Sequence, residues 1–90
     1  MEKKKQTVRA ACVAFLGNRG ITDKVKRCAY FQGVWFIVFA DYPGEVTAAW
    51  ADCSCFEPWA DYPVSGFKWN AATYQTIKAE MDAHRNRYSK

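Results

Sequence analysis

Leucine is nearly missing from this chain of 90 residues: it occurs once, as Leu16. The core must therefore be assembled from aromatics, Val, Ile and Ala. Histidine also occurs once, as His84, late in an expected helix between Ala83 and Arg85. A lone imidazole there reads as a surface or capping group, and nothing local activates a cysteine–histidine pair. The longest apolar run, Val34–Ala40, has seven residues, far short of the ~20 that cross a bilayer. No pair of C-x₂₋₄-C knuckles is present, which argues against a standard zinc module. Lysine and arginine are absent from residues 31–67. Gly17-Asn18-Arg19-Gly20 has no Walker lysine and follows a helix where a phosphate loop follows a strand.

What is present is globular. Half of the residues are apolar and 17% are aromatic, which excludes a disordered composition. The length fits one domain, expected to span residues 1–90. A chain of this size buries roughly 60–65% of its unfolded surface, so large aromatics have to compensate for a small core. The start mimics a secretory signal, with a basic stretch from Met1 to Arg9 and an apolar one from Ala10 to Leu16. It lacks a small-x-small cleavage pattern. The cysteines (Cys12, Cys28, Cys53, Cys55) are therefore expected as reduced thiols in a cytoplasm; oxidised, they would allow three pairings. Cys53-x-Cys55 is one residue short of the oxidoreductase spacing, and no metal site or cofactor is expected.

The charges are segregated. Residues 1–30 carry eight Lys or Arg against two acids, and residues 68–90 carry five against two. Residues 31–67 carry five acids (Asp41, Glu45, Asp52, Glu57, Asp61) and ten of the aromatics. Ordinary surfaces intersperse their signs. This order predicts one basic face and one acidic-aromatic face.

Hydrophobic spacing places an amphipathic helix over 3–16, with Val8, Ala11, Cys12, Phe15 and Leu16 on one side and Lys4, Lys5 and Arg9 on the other. Gly17 is read as its left-handed stop. Strands are expected over 24–31 and 34–40, joined by the two-residue turn Gln32-Gly33. The second is apolar on both faces and so central. Tyr42-Pro43-Gly44-Glu45 is read as a type II turn. Residues 46–53 follow as a strand, though their alanines also suit a helix. Residues 54–69, punctuated by Pro58, Pro63 and Gly66, read as a long aromatic loop. Asn70 caps a helix over 71–88, with Trp69 stapled to Tyr74 and with Tyr74, Ile77, Met81 and Tyr88 on its apolar face. Ala40-Asp41-Tyr42-Pro43 recurs at residues 60–63 and is read as coincidence or two similar turns, not as a repeat architecture.

The expected fold is α+β, in the order α-β-β-β-α: a three-stranded antiparallel meander with both helices on one face. This order is similar to that of the double-stranded-RNA-binding domain. That family places a lysine cluster at the start of its second helix, where this chain reads Lys68-Trp69-Asn70-Ala71-Ala72-Thr73. In size and style the chain resembles the small inhibitors that phages make against host nucleases, anti-CRISPR proteins among them.

The expectation is a small non-enzymatic protein that docks on a host protein or ribonucleoprotein complex, away from any membrane, as a monomer or homodimer. Trp35, Asp52, Glu57, Trp59 and Tyr62 are the candidates for protein contact, because exposed aromatics mark interface hot spots. The alternative is direct RNA or DNA binding through Lys3, Lys4, Lys5, Arg9, Lys24, Lys26, Arg27, Arg85 and Arg87, since phosphate contacts need only a shared basic surface.

Overall fold

Thr7 opens the first helix: its hydroxyl accepts the Ala10 N–H at 3.0 Å, a standard N-cap. In the computed structural model, which describes residues 7–53 and 55–88, helix α1 therefore runs Val8–Gly17. The expected turn before Thr7, with Lys3, Lys4 and Lys5, lies outside the described residues. Gly17 is the last helical residue but not a left-handed stop, since it does not take positive φ. The chain reverses at Gly20, at φ 81°, where the Ile21 and Gly20 N–H groups return to the carbonyls of Leu16 and Gly17 at 2.9 and 3.1 Å. That is a Schellman closure, and Ile21 packs back onto the core that holds Leu16.

Four strands follow: β1 (Val25–Phe31), β2 (Val34–Phe39), β3 (Glu45–Trp50) and β4 (Pro58–Pro63). They form one antiparallel sheet in the order β1-β2-β3-β4. A short 3₁₀ turn over Val64–Gly66 leads to helix α2 (Ala71–Tyr88). Asn70 caps α2 through its side-chain oxygen, which accepts the Thr73 N–H at 2.9 Å. Gln32 and Gly33 both have positive φ, 45° and 91°, the mark of a type I′ hairpin. At Tyr42–Glu45 the turn closes, with the Glu45 N–H donating to the Tyr42 carbonyl at 3.3 Å. Gly44 does not take positive φ, so this turn is not the expected type II.

Two expectations are corrected. The meander has four strands, because residues 58–63 of the expected loop form β4. Its prolines sit at the two ends of an edge strand, where a missing N–H is tolerated. A bulge between Pro58 and Ala60, opposite Ala49 and Ala48, breaks the alternation. Trp59 and Tyr62 consequently reach the same side despite their odd spacing. The second copy of the repeated tetrapeptide is thus a strand, not a turn.

The helices also lie on opposite faces. Strand β2 is buried along its whole length. Its Trp35, Ile37 and Phe39 point to one face and join Cys12, Phe15 and Leu16 of α1. Its Val34, Phe36 and Val38 point to the other and join Ile77 and Met81 of α2. A strand apolar on both faces needs a cover on each, which two helices on one face cannot provide. This four-stranded, two-sided arrangement departs from the element order behind the likeness to the RNA-binding domain. Ring contacts centred on Phe36, Phe67 and Tyr74 fill the α2 side, with centroids 4.8–6.3 Å apart; Trp69 reaches Tyr74 through Phe67. The side chain of Tyr88 lies outside the described residues.

Candidate functional site

Helix α1 is ten residues long and covers the β1–β2 half of its face. Next to it packs Phe56, from the connection before β4, which meets Phe15 and Phe39 edge-on at 6.3 and 6.2 Å. Beside Phe56 a pocket of ≈ 280 Å³ remains. Its walls are apolar: Phe39, Phe56, Ile21 and Pro58. Its rim is acidic, with Asp23, Glu45 and Asp61. Tyr42 stands at the mouth and is 66% exposed. The Thr47 hydroxyl, on the strand facing β4, donates to the Asp61 carboxylate at 2.7 Å and fixes its direction. Among the described residues no lysine or arginine forms an ion pair with these three carboxylates; the ion pairs are Lys78–Asp82 and Arg85–Asp52.

Both copies of the repeated Asp-Tyr-Pro contribute to this pocket. The first copy supplies Tyr42 and the second supplies Asp61. Both copies end at the same end of the sheet, where Glu45 pairs with Pro63 and the Val64 N–H donates to the Gly44 carbonyl.

The residues expected at a protein interface are scattered. Trp35 is buried, 5% exposed, beneath Phe15 and beside Tyr30; it is core. Trp59 and Tyr62 are half-buried on the α2 side, and burial pushes the Tyr62 phenol above its ordinary pKa. Asp52 is exposed and held by Arg85 at 3.0 and 3.3 Å. Those hydrogen bonds hold its carboxyl below the usual range and raise the guanidinium. Glu57 is exposed and accepts the Cys55 S–H at 3.7 Å.

The basic candidates are divided too. Arg9 donates to the Val25 carbonyl at 2.6 Å, across from α1 to β1. Lys24 and Lys26 are exposed beside it. Arg27 points to the other face, its guanidinium 4.2 Å from the Trp69 ring centre. Arg85 and the exposed Arg87 ride on α2, across the sheet from Arg9. With the helices on opposite faces, no single surface collects the basic candidates among the described residues.

His84 packs against Trp59 and Trp50, at 4.7 and 6.4 Å. The four cysteines are unpaired. Burial, with Cys28 alongside, pushes the Cys12 thiol up to about 12. Among the described residues no group of three His, Cys, Asp or Glu could hold a metal ion, and no helix is long and apolar enough to cross a membrane. The chain matches no protein-family model, no curated protein and no solved structure.

Proposed function

We propose that this chain is a small non-catalytic docking protein that binds a protein or nucleoprotein partner through its acidic-aromatic side. The observation that carries the reading is the polarity of the sheet. Arg9 reaches from α1 to the start of β1, beside Lys24 and Lys26, whereas Glu45, Glu57, Asp61 and the exposed Tyr42 lie along β3, β4 and their connections, with Asp23 joining them at the pocket. Opposite charge at opposite edges steers a partner to one side and fixes its orientation. In its specific form the partner is a host nuclease or defence complex and the protein its phage-encoded inhibitor. A cytoplasmic setting suits four unpaired thiols.

The competing reading, nucleic-acid binding, would use the cations Arg9, Lys24 and Lys26, while Arg27, Arg85 and Arg87 lie on the other face. One experiment separates the two. Wild type, the acid-side variant Glu45→Lys/Asp61→Lys and the base-side variant Lys24→Glu/Lys26→Glu are used as baits against a host extract. The same proteins are titrated with duplex and single-stranded DNA and RNA across a salt series. Docking predicts a partner kept by the base-side variant and lost by the acid-side one. Nucleic-acid binding that weakens steeply with salt and disappears in the base-side variant would replace this reading.

A further inference from the structure

From the pocket between Phe56 and the β3–β4 strands we infer a recognition site for a single arginine side chain on the partner. The inference rests on the docking reading and adds the chemistry of its anchor. A volume of ≈ 280 Å³ lies just below the ~300–1,000 Å³ of pockets that enclose drug-sized ligands, so it suits one long side chain. The apolar walls, Phe39, Phe56 and Pro58, suit an aliphatic stem. Asp23, Glu45 and Asp61 line the same pocket and supply the negative charge for a cationic head. None of them has a lysine or arginine partner among the described residues, and the segment that carries Glu45 and Asp61, residues 31–67, contains no cation.

Two features select guanidinium over ammonium. Tyr42 presents an exposed ring at the mouth, and a planar guanidinium stacks on such a ring while its edge forks onto carboxylate. Asp61 is oriented in advance by the Thr47 hydroxyl at 2.7 Å, as bidentate recognition requires. A carboxylate-bearing ligand is excluded by the same rim, and a purely apolar one would leave three carboxylates partly desolvated without a counter-charge.

The test uses the whole protein and short blocked peptides, Gly-Gly-Arg-Gly-Gly and its Lys and Glu counterparts, followed by aromatic and amide NMR at neutral pH. The Arg peptide should shift resonances of Phe39, Tyr42, Thr47 and Phe56 saturably, with Kd of about 1 mM or tighter. The Lys peptide should bind at least about threefold more weakly and the Glu peptide not at all. The charge-neutral variant Glu45→Gln/Asp61→Asn keeps a side-chain oxygen for Thr47 and should lose about tenfold in affinity. Tyr42→Leu should remove the preference for Arg over Lys. No saturable shift at the pocket, or equal response to Arg and Lys, overturns the inference. If peptide binding fails while Glu45→Lys/Asp61→Lys still abolishes partner capture, the arginine site is wrong and the docking reading stands. If the peptide binds but partner capture ignores the acidic side, the docking reading falls instead.

Discussion

The guanidinium of Arg19 grips the backbone carbonyl of Cys53 with two nitrogens, at 2.6 and 3.1 Å. A third nitrogen donates to the Phe15 carbonyl at 3.0 Å, and the group lies 4.0 Å from the centre of the Phe15 ring. One side chain thereby closes the end of α1 and pins the connection between β3 and β4. That connection carries Phe56, so Arg19 indirectly sets one wall of the acidic pocket.

Arg19→Ala should cost about 1–3 kcal/mol, because charge-assisted bonds to a carbonyl are lost together with ring packing. Arg19→Lys should recover little, since an ammonium cannot fork. Urea unfolding of the three proteins checks both statements. A cost equal to that of an ordinary surface substitution would show that the connection holds itself in place.

Phe36 is fully buried on the α2 face, stacked on Tyr74 at 4.8 Å. Phe36→Ala should cost about 3–5 kcal/mol, a large part of the stability of a domain this small. The midpoint of thermal unfolding should drop far more than for Phe56→Ala, whose ring is only half-buried.

That both faces of β2 are apolar was legible in advance, since Val34–Ala40 is apolar at every position; that each face has its own helix was not. The hairpin at Gln32-Gly33 and the cap at Asn70 were legible for the same reason: each is a local rule carried by one or two side chains. Strand β4 was not. Its bulge at Trp59 erases the period of two, and Pro58 and Pro63 look like loop punctuation until the strand is known to be an edge. The acidic-aromatic character of residues 31–67 was visible as composition. Which acids share a pocket was not, because the sheet register brings Glu45 and Asp61 together and the end of α1 brings Asp23. Trp35 illustrates the opposite error: an aromatic on an alternating strand announces burial as readily as exposure, and α1 decides between them.

The thiols should react in a fixed order. Cys55 is exposed and should be alkylated first. Cys53 is half-buried, with its thiol pushed up by burial, and should follow. Cys12 is fully buried and pushed up to about 12, so it should react only through global unfolding. Pulsed iodoacetamide labelling read by mass spectrometry gives the order. Early labelling of Cys12 would mean that α1 detaches from the sheet on its own.

The Asp52–Arg85 pair predicts a small dependence on acidity. The folded carboxyl lies below its unfolded value of about 3.9, so its contribution is complete above that value and is lost as pH falls through the folded one. Both partners are largely exposed, 68% and 42%, which limits the effect to about 0.5 kcal/mol. Asp52→Asn should lower the melting temperature slightly at neutral pH and not at all in strong acid. Raised salt should shrink the neutral difference.

The two prolines of β4 have a consequence for polymerisation. Strand addition needs a run of backbone donors, and Pro58 and Pro63 remove two of them from one side of the sheet, next to a bulge. Strand β1 contains no proline, and its one irregularity lies near its start, between Val25 and Arg27, so the stretch from Arg27 to Phe31 offers a ladder to another chain. Two molecules joined through their β1 strands would present prolines at both outer margins. Any such aggregate is self-terminating: the chain can pair, but it cannot extend into a fibre by the same contact.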